Sequence, residues 1–256
     1  MIKLSGLSKK YNDNFVVQDA SALFPKGVLT SIIGPNGAGK STLLSMASRL
    51  TNSDAGEVVI ADKPLNQWDN AELAKRLAVL RQSNNINMRF TVRELVAFGR
   101  FPHSQGRLSA RDNEIIDKAM GHLDIQHIAN RYLDQLSGGQ RQMAFIAMVV
   151  AQDTDYIFLD EPLNNLDIKH SVEIMGAIQH LAHEHGKAVV VVIHDINFAA
   201  SYSDRIIAMK QGQVIKSGDT VEVIDEAVLS DIYEIPFTIR EVEGQRICMY
   251  YTNPHK

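Results

Sequence analysis

The stretch GPNGAGKST, residues 34–42, meets the spacing G-x-x-x-x-G-K-[ST] through Gly34, Gly39, Lys40 and Ser41. Residues of these types at this spacing suit the chemistry of phosphate. Glycine lets successive amide N–H groups turn to one side, and a helix N-terminus adds free N–H groups and partial positive charge. The backbone of Gly34, Pro35, Asn36, Gly37, Ala38 and Gly39 would form the cradle. Lys40 would reach the β- and γ-phosphates, Ser41 would ligate magnesium, and Thr42 completes the motif. A nucleotide is therefore the first expected ligand.

Further along, YIFLDEP (residues 156–162) ends an apolar run in two acids. Alone, such a run is equally the charged end of any strand. Downstream of a phosphate loop it reads differently: Asp160 would hold magnesium, directly or through water, and Glu161 would orient and deprotonate an attacking water. LSGGQRQ, residues 136–142, is the discriminating segment. Ser137 and Gln140 have capping-box spacing, and Gly138 and Gly139 expose backbone N–H groups in the first turn of an apolar helix. This is a second anion-binding helix end, or else a well-capped core helix. One loop already cradles the phosphates, so the second end would serve a nucleotide held by another copy.

The elements that must position these residues alternate. Val28–Ile33 reads as a buried strand and Lys40–Leu50 as a helix with a Leu43, Leu44, Ala47, Leu50 stripe. Short strands are expected over 1–4, 16–23, 56–61 and 77–81, with a short helix over 70–75. From about 83 to 152 helical signals replace strand signals. Thr91 and Glu94 form a capping box, 100–107 reads as a loop, and 109–123 as a helix. YIFLD, 168–185, AVVVVIHD, 197–203 and RIIAM then alternate strand and helix, which implies a parallel sheet. The tail offers one helix over 224–233 and two short strands. The expected fold is therefore α/β, one domain over residues 1–256, with a helical subdomain inserted at about 83–152.

In this order and spacing, GPNGAGKST, LSGGQ and YIFLDE resemble the ATP-binding cassette (ABC) ATPases over essentially the whole chain. The resemblance implies a P-loop NTPase core with a mostly parallel sheet, an N-terminal antiparallel β subdomain, and ATP with Mg2+ as ligands. It also gives roles to residues that sequence alone would not single out. Gln82 resembles the Q-loop glutamine that senses magnesium and the transmembrane partner. His194 resembles the switch histidine at the γ-phosphate, Asp167 the D-loop aspartate at the dimer interface, and Tyr11 the aromatic that stacks on adenine. His194 has independent support, since open α/β sheets bind ligands at strand C-terminal ends. The loop Asn164-Asn165-Leu166-Asp167, the stretch GRFPH (99–103) and the run LSGGQRQMAFIAM resemble the iron-chelate importer branch.

The implied protein is an ATP hydrolase that dimerises around ATP. It would sit peripherally on the cytoplasmic side of a membrane and drive separate permease subunits, with a substrate-binding protein acting indirectly. The exposed stretch 84–107 would form the coupling surface, where Phe90, Phe98 and Phe101 would be costly to expose unless some are buried and others meet a partner. A soluble ABC ATPase, such as one for iron–sulfur cluster assembly, remains the alternative. Chromosome-organising and DNA-repair classes need a coiled coil between Gly39 and Ser137, and no sustained heptads occur there.

Composition agrees with these bounds. The chain has 256 residues, 45% of them hydrophobic, and a net charge of −4, so no broad nucleic-acid surface is expected. Its one cysteine, Cys248, fits a reducing compartment. No signal-peptide core opens the sequence, and no apolar run approaches the roughly 20 residues that span a bilayer. HLAHEHG brings His180, His183 and His185 together, either as a metal site or as an exposed helix end favoured by the dipole.

Overall fold

The computed structural model describes residues 1–82 and 89–251. The first strands pair by alternation: β1 (Ile2–Tyr11) buries Ile2, Leu4 and Leu7, and β2 (Asn14–Phe24) buries Val17, Ala20, Ala22 and Phe24. With β4 (Ala55–Ile60) and β5 (Lys63–Pro64) they form an antiparallel sheet in the order β2-β1-β4-β5.

The second sheet is the scaffold of the site. Its order is β10-β9-β3-β8-β7-β6, from β3 (Val28–Ile33), β6 (Leu77–Leu80), β7 (Tyr156–Asp160), β8 (Ala188–Val192), β9 (Arg205–Lys210) and β10 (Gln213–Asp219). The five strands from β9 to β6 are parallel, and only β10 runs antiparallel. β7 and β8 are buried along their whole length, which is why both read as continuous apolar runs instead of alternating ones.

Helix α1 (Lys40–Ala47) follows β3, and α2 (Asn70–Ala74) precedes β6. A helical block then comprises α3 (Val92–Phe98), α4 (Phe101–Ser104), α5 (Ala110–His122) and α6 (Gly138–Ala151). α7 (Ile168–His183) packs on β3 and β8. α8 (Ile196–Tyr202), α9 (Thr220–Val223), α10 (Glu226–Tyr233) and the hairpin β11 (Thr238–Val242)–β12 (Gln245–Met249) complete the chain. Two apolar cores lie on the two faces of the parallel sheet. One joins it to the helical block, α7 and α10; the other joins it to α1 and the antiparallel sheet.

Several boundaries differ from the sequence expectation. α1 ends at Ala47, not Leu50: Arg49 takes φ 61°, and its guanidinium donates to the carbonyls of Leu65 and Trp68. The expected loop at 100–107 contains α4. The tail helix expected over 224–233 is α10, started by the Asp225 carboxylate, which accepts from the Ala227 and Val228 amides; a further turn, α9, precedes it. β10 went unread because its outward residues are polar and exposed.

Candidate active site

The phosphate loop leaves β3 and enters α1. Gly34 has φ 145°, and a Cβ there would stand 2.1 Å from the Met209 carbonyl oxygen. Gly39 has φ 95° and would meet the Val16 carbonyl at 2.5 Å. Both are therefore obligatory. Gly37, at φ 79°, faces open space. Gly39 caps α1 without any side-chain hydrogen bond, so the first amides of this helix are left to a ligand.

Lys40 is 5% exposed and donates to the carbonyls of Gly34 (2.8 Å) and Pro35 (3.0 Å). Burial pulls its pKa down, while Glu161 and Asp160 act in the opposite sense. Ser41 donates to Asp160 Oδ1 at 2.8 Å. Burial pushes the Asp160 carboxyl up, the Ser41 hydrogen bond opposes this, and the Glu161 charge adds to the rise. A hard cation beside these two oxygens would relieve that cost, so the donor set fits Mg2+. Ser41, Thr42, Gln82, Asp160 and Tyr11 line one cavity of about 230 Å³. Tyr11 is half-exposed at its rim, with Lys9 Nζ 5.6 Å from the ring centroid.

Glu161 stands one residue past β7 in the left-handed region (φ 52°), its amide bonded to the Val192 carbonyl at 3.1 Å. The kink turns its carboxylate to the crevice beyond the strand ends. Gln82 Nε2 donates to Oε2 at 2.6 Å, Asn164 Nδ2 donates to the same oxygen, and His194 Nε2 meets Oε1 at 2.6 Å. Three loops, after β6, β7 and β8, thus converge on one carboxylate. A second cavity of about 220 Å³ is lined by Glu161, Asn164, Leu166, His194 and Asp195 among others. Asn164 belongs to the quoted NNLD loop, but its contact with Glu161 was not anticipated. The available signal was its place three residues after the acid, in the same turn.

The LSGGQ segment behaves as its spacing predicts. Ser137 Oγ accepts from the Gln140 amide (3.2 Å), and Gln140 Oε1 accepts from the Ser137 amide (3.3 Å). Ser137 and Gly138 are exposed, while Gly139 is buried so tightly that a Cβ would reach 2.5 Å from the His170 ring. Asp167 caps α7 by accepting from the His170 amide (2.9 Å) and pairs with its ring Nδ1 (2.7 Å). None of residues 137–140 lines the cavities of Asp160 or Glu161. Within one chain, the two helix ends lie in different places.

The parallel sheet, the phosphate loop and the carboxylates beyond the strand ends define a P-loop nucleotide hydrolase. The profile of the ABC transporter family matches residues 17–164. The petrobactin import ATP-binding protein YclP of Bacillus subtilis (strain 168) is 52% identical over 252 residues, covering 98% of this chain and 100% of that protein. The iron(3+)-hydroxamate import ATP-binding protein FhuC of the same organism is 41% identical, over 88% and 84%. A dimeric post-hydrolysis structure of the ATP-binding cassette MJ0796, bound to ADP and Pi, superposes with a TM-score of 0.76 at 32% identity, over 86% and 99%. The chain belongs to the ABC transporter family and is one of its ATP-hydrolysing cassettes. Among the described residues, no helix is long and apolar enough to cross a membrane.

Proposed function

We propose that this chain energises import of a ferric siderophore through separate membrane permeases. The observation that carries this reading is the end-to-end similarity to an import protein for petrobactin, joined by one for iron(3+)-hydroxamates. The same similarity favours import over the cluster-assembly alternative.

In this reading residues 1–256 are one nucleotide-binding domain, with 83–152 as its inserted helical part. Residues 34–42 hold the ATP phosphates, Tyr11 stacks on adenine, and Ser41, Gln82 and Asp160 hold Mg2+, which neutralises charge on the phosphates. Glu161 takes a proton from the attacking water, and His194 positions that water and the γ-phosphate. Ser137, Gly138, Gly139 and Gln140 close on a nucleotide bound by a second copy, with Asp167 at the seam. Support for action in trans is the separation of exposed Ser137 and Gly138 from the phosphate cavity.

Permease docking falls to the helical block. Phe98 and Phe101 are half or more exposed, and Phe90 packs edge-on to Phe98 at 5.0 Å. The 84–88 part of the expected surface lies outside the described residues. The subunit would act at the cytoplasmic face, with a substrate-binding protein delivering cargo to the permease and no nucleic acid involved.

Uptake of radio-iron tests the proposal. Cells lacking the protein should fail to accumulate iron supplied as one siderophore, petrobactin being the first to try, and rescue should require Lys40 and Glu161. Normal uptake of every chelate, with loss of activity in iron–sulfur enzymes, would return the cluster-assembly reading.

A further inference from the structure

Three imidazoles meet where α5 and α7 both end. His122 closes α5, His180 lies in the last turn of α7, and His185 sits in the turn before β8. Their ring centroids are 4.8 Å (His122–His185), 5.3 Å (His180–His185) and 6.0 Å (His122–His180) apart. One nitrogen from each lies within 4.8 Å of the other two. The trio is not the one that the sequence suggests. His183, only two residues from His185, turns away to Asp204, its Nε2 2.9 Å from Oδ2. His122, about sixty positions earlier in the chain, takes its place.

We propose that His122, His180 and His185 bind a divalent transition-metal ion of the zinc class. Tetrahedral zinc with imidazole nitrogens at about 2.0–2.1 Å separates those nitrogens by roughly 3.3–3.5 Å. The rings must therefore close by no more than about 1.5 Å. All three side chains are exposed. An all-imidazole set selects Zn2+, Cu2+ or Ni2+ over Mg2+ and Ca2+, which prefer oxygen. Water completes the fourth position. Lys118 and Lys187 lie close enough to His122 to act on it electrostatically, which weakens affinity for any cation. Lys187 is partly compensated, its Nζ 3.4 Å from Asp153 Oδ1.

The location gives the ion a structural consequence. α5 belongs to the helical block, and α7 lies on the sheet. Between them runs a cavity of about 480 Å³ lined by His122, Ile125, Gln140, Met143, His170 and Gly176, among others. An ion on this trio pins one wall of the cavity to the other.

The test uses untagged, chelator-treated full-length protein and Zn2+ alone, without nucleotide. Calorimetry should find one zinc per chain, and zinc should raise the melting temperature. His122→Gln, His180→Gln and His185→Gln should each weaken binding by at least about 10–100-fold, the loss that removing even an outer-shell partner of a ligand causes. His183→Gln should bind as the wild type does. Asp160→Asn should also retain the zinc, which separates this site from the nucleotide cavity. Zinc-free melting curves of the histidine variants should match the wild type, since the side chains are exposed. The proposal is overturned if no saturable uptake occurs below about 100 µM zinc, if His122→Gln binds normally, or if Asp160→Asn abolishes binding.

Discussion

Replacing Glu161 by glutamine keeps the side chain's length and one acceptor oxygen but removes the carboxylate proposed to accept a proton from water. General-base assistance contributes on the order of 10²–10⁴-fold, or about 3–5 kcal/mol of barrier. The variant should bind Mg–ATP normally, lose turnover by that factor and collect as an ATP-bound dimer on size-exclusion chromatography. Wild-type turnover would remove Glu161 from the role. Lys40→Ala and Ser137→Arg separate the two helix ends. Lys40 would give charge-assisted bonds to phosphate in the proposed role, so its loss should weaken ATP binding by the monomer. Ser137 is outside the phosphate cavity, so arginine there should leave monomer affinity intact and abolish hydrolysis. Nucleotide titrations read both, and equal losses of affinity would place the signature in cis. The residue types were legible from spacing alone, because phosphate binding needs a fixed sequence of backbone conformations. The contacts of Glu161 with Gln82 and His194 were not, since they join loops whose proximity only the sheet order creates.

The helical block is held by contacts that leave no room for substitution. A Cβ on Gly99, the C-cap of α3, would stand 2.0 Å from the Met148 carbonyl of α6. Gly99→Ala should cost about 1–3 kcal/mol by overpacking, a fall of several degrees in thermal melting. Beside it, Arg100 Nε bonds Asp112 Oδ1 at 2.9 Å, and Arg100 Nη1 bonds the Ala151 carbonyl at 2.9 Å. This ties the segment before α4 to the first turn of α5 and the last turn of α6. The Ser109 hydroxyl and amide, with Arg100, hold the Asp112 carboxyl down at about 2. A folded-state pKa below the ordinary 3.8 means stabilisation that is full above that value and is lost as pH falls toward about 2. Asp112→Ala leaves Arg100 buried without its anion and should cost roughly 3 kcal/mol at pH 7. Melting curves should show that deficit shrinking between pH 4 and pH 2; a constant deficit would mean that the charge is not responsible. Helix starts in this block were readable because Thr91, Ser109 and Ser137 cap by local bonds. The Arg100–Asp112 pair was not, because it depends on α4 forming where Pro102 and Gly106 suggested a loop.

At the scale of the molecule, alternation of strand and helix foretold a parallel sheet, and the sheet is parallel but for β10. What periodicity missed is what tertiary contacts decide: the early end of α1, the helical turn α4 and the polar edge strand. The tail is not idle packing. Tyr233 lies against the phosphate loop at Gly34, its hydroxyl pushed up to about 12 by burial. Asn197 of α8 clips the backbone of Cys248 from both sides, at 2.7 and 3.3 Å. The convergence on Glu161 has a further consequence. A carboxylate can accept about four hydrogen bonds, and three donors from three loops already occupy this one. With its lone pairs so engaged, it has little left to offer a water molecule. A motor that cycles without cargo wastes fuel, and a base held in this way, as proposed for Glu161, would idle. With Glu161 as the proposed base, turnover would wait until the loops after β6, β7 and β8 let go, and whatever moves one of them would act as a throttle on all three.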